Sequence, residues 1–255
     1  MNARSSQPCP RTRRSQQGFT LVELSIAVLI GLFLLGGLLT LVQDMRRTFG
    51  AQNQLGQLQD SERLAMTLIG DVVQAAGYYP DPTTQIPTII FPVVAPFTGA
   101  GLSLAGTRNA AAPGDSISIR YLTANNDGVI NCTGGTNSTG NPLVYSNTFA
   151  VVANATQDLQ CTLNGAAPVT LVSGVTNMQI LYGVRANNAS LNPNNVDTYM
   201  TAAQVSAAVK WDSVICVKVT LTFTNPLAAT QAGQPATIPF TRVITVMNKA
   251  GVNTT

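Results

Sequence analysis

Residues 18–42 read Gly18-Phe19-Thr20-Leu21-Val22-Glu23-Leu24 and continue as SIAVLIGLFLLGGLLTLV to Val42, an apolar run interrupted early by one carboxylate. A run of about 24 such residues is long enough to cross a bilayer as a helix. An ionisable group inside a span costs at least about 2.5 kcal/mol unless something partners it, so Glu23 is the first candidate for function. Ahead of it, residues 1–18 hold Arg4, Arg11, Arg13 and Arg14, contain no acidic residue and end in the small Gly18. A secretory signal peptide has a similar charged start and small cut site. The length of the run, the lack of an A-x-A-like site after it and the presence of Glu23 oppose that reading. The apolar helix is expected to be kept.

The arrangement GFTLVELSIAVLIGLF resembles the processing and assembly signal of type IV pilins and pseudopilins. The resemblance implies cleavage after Gly18 by a prepilin peptidase on the cytoplasmic side of the membrane and N-methylation of the new first residue, Phe19. It also implies that Glu23, fifth in the processed chain, pairs with the charged amino terminus of a neighbouring subunit. In low dielectric either charge alone would stay unpaired, so such a pair enforces axial register. The bland alternative is a charge tolerated near the membrane interface, one helical turn from the processed end.

The 255 residues leave roughly 175 after the helix, enough for one domain with its own core. Removing the leader's four arginines leaves ten basic against eleven acidic residues, a net charge of −1 in place of +3. No basic patch points to nucleic acid. Histidine is absent, which excludes His-based triads and His-containing zinc sites. Charged residues are only 10% of the chain, a composition that fits an extracytoplasmic β-rich surface better than a cytosolic enzyme. No catalytic residue, cofactor-binding residue or metal ligand is expected. Cys9 lies in the leader; Cys132, Cys161 and Cys216 would remain in a compartment that permits disulfides. Cys132 and Cys161 each sit beside turn residues and a short apolar strand and are the expected pair, although three cysteines allow three pairings. Cys216, in Val214-Ile215-Cys216-Val217, reads as a buried strand residue.

From Val42 to Pro80 no proline intervenes, and Leu58, Ala65, Leu68, Val72 and Ala76, flanked by Ile69 and Val73, form one apolar stripe on a continuing helix. Gly77 is suited to stop it, with Pro80 and Pro82 beyond. Six internal glycines weaken the helix, and a bend is expected near Gly36-Gly37. Residues 80–114 read as a long connection with an extended piece at Thr88 to Val94. Strands are expected at Ser116–Leu122, Phe149–Ala153, Leu159–Leu163, Val169–Val172, Met178–Val184, Val214–Thr224 and Thr237–Val246. Thr198 to Val209 reads as a short helix leading into Trp211, and Asn187 to Asn195 as a polar loop. Alternation in Val217 to Phe223 gives one buried and one wet face, hence an antiparallel sheet packed on a helix. The fold class is α+β: a leader over 1–18, a transmembrane and assembly half over 19–42, an amphipathic half over 43–79 and a β-rich domain over 80–255.

Three further patterns have plain structural readings. Thr123 to Gly134 has the Asn125, Asp127 and Gly128 of a calcium loop but lacks acidic residues at its first and twelfth positions, and reads as a reverse turn. Sequons at Asn131, Asn154 and Asn188 carry no meaning in a host that uses such a leader. Tyr78, Tyr79 and Trp211 read as packing residues before partner anchors.

Beyond the leader, LQDSERLAMTLIGDVVQAAGYY, NDGVINCTGG with the later Cys161, VTNMQILYGV, YMTAAQVSAAVKWDSVICVKVTLTF and PFTRVITVMNK resemble the PilW class of minor pilins. That resemblance implies a non-enzymatic, single-pass inner-membrane protein with a periplasmic domain. It would prime type IV pilus assembly on the inner-membrane platform and reside at the pilus tip with other minor pilins, the major pilin and a tip adhesin. A J-type pseudopilin of type II secretion would carry the same leader. A membrane-tethered enzyme or binding module would instead need a pocket of convergent polar groups.

Overall fold

The computed structural model describes residues 18–185, 195–229 and 231–249. The leader arginines, Cys9, Asn188 and nearly all of the Asn187–Asn195 segment lie outside them. The chain divides into two units, Met1–Gly50 and Ala51–Thr255.

Helix α1, Leu21–Gln74, has 54 residues and no proline, and its assignment runs unbroken through Gly36 and Gly37. In the first unit every described residue is exposed except Gly31, which is half-buried. In the second unit the same helix buries Leu58, Ala65, Met66, Ile69, Val72 and Val73. Leu68 sits at the edge of this stripe and Met66 inside it, a rotation of the expected face by part of a turn. The helix ends in a turn at Gly77, whose φ of +73° favours glycine. A Cβ there would stand 2.9 Å from the Asn248 side-chain nitrogen, which instead donates to the Gly77 carbonyl at 2.7 Å.

The strands form two antiparallel sheets where the alternation suggested one. Strands β1 (Leu104–Thr107), β2 (Ser116–Thr123), β3 (Leu143–Val152), β4 (Asp158–Leu163) and β5 (Val169–Val172) make a five-stranded meander in chain order. Strands β6 (Val175–Val184), β7 (Thr198–Met200), β8 (Val214–Thr224) and β9 (Thr237–Thr245) make a second sheet in the order β7-β6-β8-β9. The buried face of α1 shares one core with Ile117, Ile119 and Phe149 of the first sheet and with Met178, Ile180, Val217, Val219 and Leu221 of the second. Each such side chain contributes about 1.5–3 kcal/mol through burial.

Three local expectations are corrected. Thr88–Val94 is not extended: Pro87–Ile90 forms a single helical turn, α2, because Pro87 supplies a helix-compatible φ at the first position. Thr198–Met200 is a strand pairing with Tyr182–Val184, so the helix shrinks to α3, Ala202–Ala207. Its start is fixed at Thr201, which exchanges hydrogen bonds with Gln204 in a capping box. Strand β3 begins at Leu143, six residues before the expected Phe149, because Leu143–Thr148 pairs with Ser118–Thr123 of β2; within it the buried Asn147 side-chain oxygen accepts from the Cys132 N–H at 2.9 Å.

Two covalent or charged devices brace this unit. Cys132 and Cys161, both buried, form a disulfide across a sequence separation of 29. Cys216 is free and buried. Replacing Cys132 and Cys161 together with alanine should cost about 3.6 kcal/mol, the loop-closure value for that separation. Urea unfolding with and without reductant checks it; an unchanged midpoint would show that the bond adds nothing to the packed sheet.

The second device is Asp115, 2% exposed, at the end of the β1–β2 turn. Its carboxylate accepts from Arg108 Nη1 at 3.0 and 3.2 Å, from the Asn109 N–H at 2.9 Å and from the Ile180 N–H on β6 at 2.8 Å. The Asp115 N–H donates to the Met178 carbonyl at 2.7 Å and the Met178 N–H to the Pro113 carbonyl at 3.0 Å. One acid thus stitches the five-stranded sheet to the four-stranded one.

Candidate functional site

Gly18, Phe19 and Thr20 precede the helix, non-helical and exposed, with Phe19 at 84% exposure. Thr20 stands at the N-cap. Its hydroxyl oxygen accepts from the Glu23 N–H at 3.3 Å, and its hydroxyl donates to Glu23 Oε2 at 3.5 Å. The Leu24 N–H closes the first turn on the Thr20 carbonyl at 3.2 Å. Thr20-Leu21-Val22-Glu23 has the spacing of a capping box, a signal legible in the sequence that points to Thr20 as well as Glu23. Glu23 therefore has a local role before any intermolecular one: a carboxylate in the first turn offsets the orphan N–H groups and the positive end of the helix dipole.

From Leu21 to Val42 the helix is apolar on all sides, and among the described residues none of that span is fully buried. Such a helix is at rest only in lipid or among other helices. A Cβ added at Gly31, Gly36 or Gly37 would meet nothing within 4 Å. Each glycine costs the helix up to about 1 kcal/mol relative to alanine and receives no close packing inside the chain in return. Small residues at Ala27 and Gly31 leave room for another helix to approach.

In the second unit, the Asp127 turn uses its carboxylate internally, accepting from the Ala124 N–H at 2.7 Å and the Val129 N–H at 3.0 Å. Among the described residues no three His, Cys, Asp or Glu side chains gather as metal ligands would. Trp211 is buried, edge-on to Tyr182 at 4.8 Å, and donates its indole N–H to Ser206 Oγ at 3.0 Å. Tyr78 is partly exposed and Tyr79 half-buried. Burial raises the phenol of Tyr121, whose hydroxyl donates to the Ile130 carbonyl at 2.6 Å beside the disulfide loop. Trp211 and Tyr121 are packed into the fold, while Tyr78 is exposed.

Two family models match. Residues 13–39 match the prokaryotic N-terminal methylation motif, and residues 135–250 match the type IV pilus-assembly protein W family. No curated protein and no solved structure matches the chain. A long exposed apolar helix with an acid in its first turn, continuing into antiparallel sheets, is a type IV pilin-like organisation and fits a membrane-anchored protein. Over residues 135–250 the chain is similar to the type IV pilus-assembly protein W family.

Proposed function

We propose that this chain is a minor pilin that primes type IV pilus assembly and takes its place at the pilus tip. The observation that carries the reading is the apolar helix surface of residues 21–42, headed by Glu23 and exposed among the described residues except at the half-buried Gly31. Prepilin peptidase cleaves after Gly18 and methylates Phe19. The domain beyond the helix lies in the periplasm while the subunit waits in the inner membrane. Glu23 then neutralises the amino terminus of a neighbouring subunit, a pairing that desolvation makes unforgiving of slippage. The partners are other minor pilins, the major pilin, a tip adhesin and the inner-membrane platform. The protein acts by packing, without turnover.

Sheared surface pilin, compared between a strain lacking the gene and the same strain with a restored copy, tests the priming role. A sharp, complementable loss is expected. Normal pili with impaired protein secretion would move the chain to the J-type pseudopilins of type II secretion.

Glu23 separates its two roles by substitution. Thr20→Ala removes the cap and should cost the first turn about 1 kcal/mol while leaving filament incorporation near normal. Both Glu23→Gln and Glu23→Ala remove the charge and should reduce incorporation into sheared filaments about a hundredfold or more, the scale of one lost buried pair. Equal effects of Thr20→Ala and Glu23→Gln would reduce Glu23 to a capping residue.

A further inference from the structure

The outer face of β2 carries an arginine in an unusual setting. Arg120 is 3% exposed, and no carboxylate among the described residues lies within ion-pair distance of it. Its guanidinium is held by neutral groups alone. Nε donates to the Leu102 carbonyl at 2.6 Å, Nη1 to Pro92 at 2.7 Å, and Nη2 to Phe91 and Gly99 at 3.2 and 3.4 Å. The rings of Phe91 and Phe97 stand 5.3 and 4.1 Å from its central carbon. Four of its five N–H groups are thereby used, and the whole positive charge remains uncompensated. Burial without an anion lowers its pKa to about 10.

Carbonyl dipoles satisfy hydrogen bonds but carry no net charge, and a buried cation normally has a counter-ion. Arg120 lines a cleft of about 270 Å³ whose other walls include Pro92, Val94, Phe97 and, from the neighbouring strand, Val144 and Ser146. Ser146 is the cross-strand partner of Arg120. Val94, in the cleft wall, is exposed, and the same segment following α1 also exposes Ile86, Ile89 and Val93, with Ile89 at 74% exposure. An apolar wall around a small cleft with a desolvated cation is the arrangement of an interface anchor, where one charged partner group is worth most.

We propose that this cleft docks a protein segment carrying a glutamate or aspartate between apolar residues, contributed by another subunit, with the carboxylate supplying the counter-charge that Arg120 lacks. The apolar neighbours of that acid cover Ile90 and Val94 in the cleft wall. The proposal adds a contact chemistry to the assembly reading, and its test in solution can fail while that reading stands.

The test uses the full chain in lipid nanodiscs with labelled isoleucine and valine methyl groups. Acetyl-Leu-Glu-Leu-amide and its glutamine counterpart are titrated against it. The glutamate peptide should shift the methyls of Ile90, Val94 and Val144 and bind about tenfold tighter than the glutamine peptide, the scale of one charge-assisted contact. Val94→Asp, an exposed change at the mouth that leaves the carbonyl cage intact, should abolish the preference. Arg120→Gln should do the same if its domain stays folded. Equal affinities, shifts away from the cleft or no binding up to millimolar peptide would each overturn the proposal.

Discussion

Asp115→Ala is expected to be the most damaging single substitution in the second unit, lowering its stability by about 3 kcal/mol, the cost of leaving the N–H groups it satisfies without an acceptor. The change leaves the Ile180 and Asn109 N–H groups without acceptors and Arg108 without its counter-ion. The penalty is large because the carboxylate works at a join: Ile180 belongs to β6 and Arg108 follows β1, so the same loss loosens both sheets. For a domain of this size that free energy corresponds to a fall in Tm of about 10 °C. Asp115→Asn keeps one acceptor oxygen and should lose about half as much. Thermal unfolding of the full chain, followed in the near-ultraviolet through Trp211 and the tyrosines, reads both variants. A loss below about 1 kcal/mol for the alanine variant would mean that the backbone exchanges between Pro113, Asp115 and Met178 hold the sheets together unaided.

Asp115 also shows where the sequence stops being informative. Nothing in Gly114-Asp115-Ser116 announces a partner 65 positions away at Ile180. Period-two alternation tells that Val217, Val219 and Leu221 share a buried face, which they do, but says nothing about which strands lie beside them. The single expected sheet became two for that reason. Helix α1 was legible because its signals are local: an apolar run, a stripe at helical spacing and a glycine at the stop. Thr198–Met200 was not, since three residues are too few to show a period and their pairing with Tyr182–Val184 is decided by the second sheet. Arg120 is the extreme case. A lone arginine in Ser-Ile-Arg-Tyr on a strand reads as a solvated charge, and only the segment folded over it, from Phe91 to Leu102, makes it a buried one. At the head of the chain the balance reverses, because Gly18, Phe19, Thr20 and Glu23 lie within six residues and their pattern is linear.

Gly18→Leu is expected to abolish maturation. Gly18 precedes the N-cap Thr20 by two residues, in a non-helical stretch that offers its backbone to solvent. A peptidase must grip an extended backbone on both sides of the bond it cuts, and at Gly18 there is no Cβ to exclude the enzyme's own backbone. A leucine adds four carbons at that point of closest approach. The precursor should then accumulate in the inner membrane with residues 1–18 attached, and intact mass measurement should find no protein beginning at methylated Phe19. The consequence for assembly is electrostatic as much as steric. Without cleavage the amino group never forms at Phe19, so Glu23 of the adjoining subunit would be buried without its cation, and Arg11, Arg13 and Arg14 would remain on the cytoplasmic side of the apolar run. Incorporation into sheared filaments should fall below detection even though the helix and the domain beyond it are unchanged. Recovery of a mature chain beginning at Phe19 from this variant would remove the leader assignment, and with it the register role proposed for Glu23.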